Sequence, residues 1–558
     1  MNTHRLLIIG LDGGNLEVID PLIAQGRLPN LARIRLQGSS GVLRSVIPPH
    51  SAPAWITFMT GWNSGRHGVF DFWERDWSAY NSPVEGLVTT DRFAGRTFWD
   101  YASANGIRTG VVTVPVTYPA WPVNGFMLSG YLLSPGMNED SAYPSDLADR
   151  FERQLLFPEA YRKGASHEAV MREGPRMICM RGQVAAQLQD EYKSELLVVV
   201  LAPTDKAQHD FWRYREPDCP PDLKARYGDV INQHYEACDA VIGDLWDQMG
   251  EEETNVIVIS DHGGGPYPRR CLHTNYALRQ NGLLTPKEPR RGRRKGTDRM
   301  TWLRTLRFKL RGDIYHRLKT WGKQLLPDRA WRALQNRYQG TAAIDWEQTL
   351  CYRVELQTPA EGIIINLKGR QPKGIVEPGQ EYESIRKQVA EAMTQLTDPE
   401  TGQPIVEECY MREDIFSGPC VEKMPDIFLV LRQGYKSDNR LDAGLVGPTP
   451  QSELERFRGA HTMNGILMAA GPDIRGGATL RGANLIDTTP TFMYLAAMPI
   501  PEDMDGHVLT EVIREECLQT RPVHTTTDVL SGQPQERAFT ADEEQEIVDR
   551  LAGLGYLE

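Results

Sequence analysis

The sequence predicts an α/β fold: a mainly parallel central sheet with helices on both faces, plus a small α+β subdomain and a basic helical insertion. Three observations predict it. Short runs that are apolar at every position recur along the first 280 residues, most clearly Glu195–Leu201 (ELLVVVL) and Asn255–Ser260 (NVIVIS). Amphipathic stretches of helical spacing lie between them. Strands without polar alternation are buried on both faces, as parallel strands covered by helices are.

Taken in order, Leu6–Gly10 is the first buried strand, and Leu16–Gln37 is a helix with a break near Pro29. Val42–Val46 and Thr109–Val114 are further strands, and Gln233–Met249 is a helix leading into Asn255–Ser260. These make residues 1–285 the first part of an α/β core, with insertions in 73–190. Residues 286–342 break the alternation: Trp302, Leu303, Leu306, Leu310, Leu318, Trp321, Leu325 and Trp331 follow roughly helical spacing among many basic residues. Residues 343–455 read as the small α+β subdomain, with strands at Gly362–Leu367 and Asp426–Leu431 and a helix at Glu381–Leu396. Residues 456–515 return to core-like sequence. Residues 516–558 form a tail that ends in an amphipathic helix over Ala541–Leu557.

Composition bounds the function. A 558-residue chain that is 40% hydrophobic and 24% charged is globular, not disordered. Its net charge of −12 argues against a dedicated nucleic-acid binder. That total hides an uneven distribution: Lys287 to Arg337 holds 17 Lys and Arg against 4 Asp and Glu. Three readings fit this basic island: a solvated helical hairpin with no partner, its Trp and Leu packed on the protein's own body; a surface for anionic membrane lipid or nucleic acid; or a lid that steers an anionic substrate. The first apolar run ends at Gly10, too short for a signal peptide, and no stretch approaches the roughly 20 apolar residues of a membrane span. Eight scattered cysteines without a C-x-x-C spacing point to neither a zinc knuckle nor a disulfide framework. The expectation is a cytoplasmic protein, at most peripheral to a membrane.

The chemistry follows the strands. Asp12-Gly13-Gly14 comes after the first one. Ala202-Pro203-Thr204-Asp205 follows Glu195–Leu201, with His209 four residues on. Asp261-His262-Gly263 follows Asn255–Ser260, and Gly459-Ala460-His461 precedes the late strand Gly465–Ala470. Ligands of parallel sheets sit beyond the carboxyl ends of the strands. Asp and His are ligands for Zn²⁺ or Mn²⁺, and Asp12, Asp205, His209, Asp261, His262 and His461 suffice for two divalent metal ions in one cleft. Two-metal sites suit phosphoryl transfer. Any single segment is ordinary: a lone Asp-His-Gly is most often a loop, and Asp12 alone reads as a turn residue or a helix cap. Their joint placement is what carries weight. Ser51, in Pro49-His50-Ser51-Ala52-Pro53, stands at a helix start where amide N–H groups favour an anion, which makes it the candidate nucleophile. An isolated serine there would be only an N-cap.

These segments resemble the alkaline phosphatase superfamily, in its type I phosphodiesterase/nucleotide pyrophosphatase branch. LDGG around Asp12, PPHSAPAWITFMTG around Ser51, NSGRHGVFDF, PTDKAQH, ISDHGGG and GAHTMNGILMAAGP occur in the expected order. The resemblance implies that Asp12, Ser51, Asp261 and His262 hold one metal, and that Asp205, His209 and His461 hold the other. Ser51 would form a phosphoseryl intermediate. Zinc is the family expectation and manganese its main competitor. The branch usually has an asparagine where this chain has Ala54, so phosphate-oxygen binding is expected from the Ala52 N–H, Lys206 or the metals. The sulfatase branch needs an arginine where Trp55 stands. His67 is expected to be structural and His50 to line the pocket wall. The implied activity is that of a phosphodiesterase, a metal-dependent hydrolase of a phosphate ester of a small molecule or lipid headgroup. Two alternatives share the residues: a phosphomonoesterase or phosphomutase, and a non-catalytic binding protein on the same fold.

Overall fold

The computed structural model describes residues 4–80, 82–130, 132–155, 165–287, 343–530 and 539–554. The basic island apart from Lys287, and the end of the terminal helix beyond Leu554, lie outside the described residues.

The strands predicted from apolar runs are the middle of one nine-stranded sheet. Across it the order is Thr479–Asn484, Ser39–Arg44, Asn464–Ala470, Thr254–Ile259, Arg5–Leu11, Leu196–Leu201, Thr109–Val114, Gly125–Ser129 and Ala142–Tyr143. The five strands from Thr254–Ile259 to Gly125–Ser129 are mutually parallel. Asn464–Ala470 is antiparallel to both of its neighbours, and Ala142–Tyr143 is antiparallel to Gly125–Ser129. Every residue of Leu196–Leu201 and Thr254–Ile259 is buried, so helices cover both faces and no polar alternation is needed. The expected single helix over Leu16–Gln37 is two, Leu16–Ala24 and Pro29–Gln37. Pro29 opens the second at a position where its missing N–H costs nothing.

The small unit is a separate four-stranded antiparallel sheet, Cys351–Glu355, Ala360–Ile365, Ile427–Leu431 and Val406–Met411 in spatial order, with the helix Gln380–Thr394 packed on it. Its core also takes in Leu272, Ala277, Leu278, Leu283 and Leu284. A third apolar cluster joins the two parts. Ile47, Phe70 and Met463 from the catalytic side pack with Phe416, Phe428 and Val430. No helix among the described residues is long and apolar enough to cross a membrane.

Candidate active site

Asp12 follows the strand Arg5–Leu11, Ser51 follows Ser39–Arg44, Asp205 follows Leu196–Leu201, and Asp261 and His262 follow Thr254–Ile259. All leave the sheet at its carboxyl edge. His461 precedes its strand in sequence, yet reaches the same edge because Asn464–Ala470 runs the opposite way. A short antiparallel ribbon pairs Gly264 with His461 and fixes that approach. The turns are tight. Gly13 has φ +70, and a Cβ there would lie 2.8 Å from Gln208 Nε2. A Cβ on Gly263 would sit 2.1 Å from the Asn464 carbonyl oxygen.

All seven predicted ligand positions converge, in two adjoining clusters. In one, Ser51 Oγ lies 3.4 Å from Asp12 Oδ1 and 3.2 Å from His262 Nε2. His262 Nε2 lies 3.6 Å from Asp12 Oδ1 and 3.2 Å from Asp261 Oδ2. In the other, Asp205 Oδ1 is 3.3 Å from His209 Nε2 and 3.5 Å from His461 Nε2, and the two histidine nitrogens are 2.9 Å apart. The rings of His262 and His461 stack at 3.7 Å, so the clusters share a wall. Four tetrahedral ligands at bond lengths of about 2.0–2.1 Å stand roughly 3.3–3.4 Å from one another. The contacts in the two clusters, 2.9–3.6 Å, bracket that spacing, and their side chains could hold a divalent cation.

Hydrogen bonding points the same way. His209 Nδ1 faces the Gly459 carbonyl at 3.2 Å, His262 Nδ1 faces that of Gly263 at 3.1 Å, and His461 Nδ1 faces that of Pro49 at 2.8 Å. A carbonyl only accepts, so each Nδ1 carries the proton and each Nε2 is turned inward. Asp261 Oδ1 accepts from Gly13 N at 3.1 Å, whereas Oδ2 is buried without a donor. Burial, then the charges of Asp261 and Asp205, push the Asp12 carboxyl well above its ordinary value. Burial likewise lifts Asp261 to about 8. Burial and His461 push His262 well below its ordinary value, so its imidazole stays neutral. At the second cluster burial would raise Asp205, but His209 and His461 outweigh it and hold its carboxyl well below the usual range. His209 is correspondingly raised by Asp205, against burial.

Ser51 stands at a helix start, as expected: it is the first residue of Ser51–Thr60, and its neighbour His50 is the cap. His50 Nδ1 accepts from Ala52 N at 3.3 Å, and burial drops the ring to about 4, which keeps it the neutral acceptor the cap requires. His50 is therefore a structural cap as well as a pocket neighbour, and Ser51 Oγ is left to face the clusters. The Ala52 N–H expected to bind a phosphate oxygen is engaged by that cap. Lys206 is not a loop lysine: it is buried on the helix Pro203–Phe211, and its Nζ pairs with Asp210 at 2.8 Å. His67 is structural as expected, buried between Thr57 Oγ1 at 3.2 Å and Val69 N at 3.2 Å.

Four supporting side chains were not legible in the sequence. Trp55 Nε1 donates to Asp12 Oδ2 at 3.3 Å. Thr204 Oγ1 donates to the Asp12 carbonyl at 2.6 Å, Ser45 Oγ to that of Asp261 at 2.5 Å, and Gln208 Nε2 to that of Gly13 at 2.7 Å. Their positions relative to Ser51 and Asp205 in the motifs were the available signal, but no spacing rule assigns them a partner.

No curated protein matches the chain. Among solved structures, human ectonucleotide pyrophosphatase/phosphodiesterase 5 is similar at 14% identity and a TM-score of 0.44, covering 93% of this chain and 99% of its own. The murine form, inactive and in complex with AMP, is similar at 13% identity and a TM-score of 0.45, covering 89% and 95%. A sequence model of the type I phosphodiesterase/nucleotide pyrophosphatase family matches residues 6–463. That span runs from the first strand to just past His461, and so takes in every residue of both clusters. By that match the chain belongs to the type I phosphodiesterase/nucleotide pyrophosphatase family and is a hydrolase of phosphodiester bonds.

Proposed function

We propose that this chain hydrolyses phosphodiesters with Ser51 as nucleophile, at a site for two divalent cations that are zinc, with manganese as the competing ion. One observation carries the reading: two clusters of Asp and His side chains within reach of a shared cation adjoin, and Ser51 Oγ belongs to one of them. Asp12, Ser51, Asp261 and His262 are assigned to one ion, and Asp205, His209 and His461 to the other. When bound, the ions supply positive charge that favours an ionised serine oxygen and offsets the charge on the phosphate. Ser51 is held between Asp12 Oδ1 and His262 Nε2 on a rigid helix, which fixes the direction of its oxygen. That oxygen attacks phosphorus in line, and the first ester oxygen leaves as the phosphoseryl bond forms. Water then attacks the same phosphorus and restores Ser51.

The helix amides contribute little to phosphate binding. Ala52 N–H donates to His50, Pro53 has no N–H, and Ala54 N donates to the His50 carbonyl at 3.1 Å. Substrate choice, whether a nucleotide or a lipid-headgroup ester, is assigned to residues 73–190 and to the small α+β unit. Support for the latter is that Ile47, four residues before Ser51, packs in the cluster with Phe416 and Phe428.

Ser51→Ala tests the mechanism. Turnover of a nitrophenyl phosphodiester is expected to fall by on the order of 10³-fold or more, with bound metal and thermal stability retained. Because His50 provides the cap, a loss of turnover cannot be ascribed to fraying of the helix. Full activity in this variant would overturn the reading. A nitrophenyl monoester assayed alongside is expected to be the poorer substrate.

A further inference from the structure

Trp55 stands four residues after Ser51, one turn further along the same helix. Its side chain is fully buried, and its indole N–H goes to Asp12 Oδ2 at 3.3 Å. The other Asp12 oxygen, Oδ1, faces Ser51 Oγ and His262 Nε2. The two oxygens of one carboxylate are thus divided, one on the indole and one toward the cluster. The indole cannot swing away. A Cβ on Gly10 would lie 2.5 Å from Trp55 Cη2, so bare backbone is all that fits against the ring. Phe58 closes another side edge-on, with ring centroids 5.2 Å apart.

We infer that Trp55 is a positioning residue that makes Asp12 a one-oxygen ligand and ties that ligand to the nucleophile's own helix. The inference rests on the two-cation reading above. An indole suits the task chemically. It donates one hydrogen bond and has no lone pair to compete for a cation, as a histidine would. It also carries no charge, whereas a lysine or arginine on the same oxygen would repel the ion. Partners that hold a ligand's second atom typically change metal affinity by about 10–100-fold when removed. The same helix delivers Ser51 Oγ to the same cluster, so nucleophile and ligand keep a fixed relation.

The test is zinc titration of metal-depleted protein against a chromophoric chelator. Trp55→Phe keeps an aromatic ring in place and removes the N–H. Wild-type protein is expected to bind two ions. The variant is expected to hold one with unchanged affinity and the other about 10- to 100-fold more weakly. Asp12→Asn is expected to weaken the same ion, and adding Trp55→Phe to it should weaken that ion no further. Should the phenylalanine variant not fold, indole NMR on wild-type protein provides the reading. The indole N–H signal that Asp12→Asn displaces is expected to shift with one zinc-binding step and not the other. Two ions held equally by wild type and Trp55→Phe, or an indole signal indifferent to both steps, would overturn this inference alone. Wild-type protein that binds no zinc would overturn the two-cation reading first, and this inference with it.

Discussion

Asp12 and Asp261 carry the charges that the folded chain tolerates least. Both are buried, Asp12 is repelled by Asp261, and Asp205 repels both. A carboxyl whose folded value is raised contributes stability that is fully present below its unfolded value, about 3.9, and is lost as pH rises through its folded value. For Asp261 that window runs up to about 8. In chelator, the wild-type melting temperature is therefore expected to fall relative to Asp261→Asn as pH rises across this range. Thermal melts of both proteins from pH 5 to 8.5 check it, and parallel curves would contradict it. Zinc or manganese added at pH 8 is expected to restore the wild type, because a bound cation stabilises the folded state by mass action and favours the ionised carboxylates. The Asp and His side chains that converge were legible in the sequence, because they sit just past apolar strand runs or, for His461, just before one. Their hydrogen-bond partners were not: that Trp55 meets Asp12 depends on how a helix lies over Gly10, which no local pattern encodes.

At the level of elements, the helix Ser51–Thr60 does two jobs, and its cap separates them. His50 satisfies an amide of the first turn, while Ser51 Oγ is left facing Asp12 and His262. Loss of a capping side chain typically costs about 1 kcal/mol, and a competent replacement restores most of it. His50→Ala is expected to lose about that much in urea unfolding, and His50→Asn only a few tenths. Equal stabilities of the two variants would mean that the 3.3 Å contact does not act as a cap. The sequence placed Ser51 at the helix start and read His50 as a pocket-wall residue, since histidine is an uncommon cap. Burial keeps His50 neutral and able to accept. Strand direction is the other decision made at this scale. His461 lies upstream of its strand and would fall at the wrong end of the sheet if Asn464–Ala470 ran parallel to Thr254–Ile259.

For the molecule as a whole, the joint between the catalytic sheet and the small unit is aromatic. Phe428 is fully buried and meets Phe416 edge-on at 5.1 Å and Phe70 at 6.3 Å. Phe428→Ala is expected to cost about 3–5 kcal/mol in denaturant unfolding, through lost burial and the cavity left behind. A loss under about 1 kcal/mol would show that the joint relaxes around the gap.

The chain's local chemistry settled much of this protein by itself. Unbroken β-branched runs demand burial on both faces, and with helices between them they imply a parallel sheet. Aspartates and histidines just past those runs then imply a site at its edge. Short-range physics is enough for both steps. Only the tertiary structure decided which strands adjoin, which one reverses, which residue caps the helix of Ser51 and which side chains brace the Asp and His clusters. Those outcomes depend on contacts between segments up to several hundred residues apart, such as Asp12 with His262 and His209 with His461. Their energies come from packing and desolvation, which exist only once the segments have met.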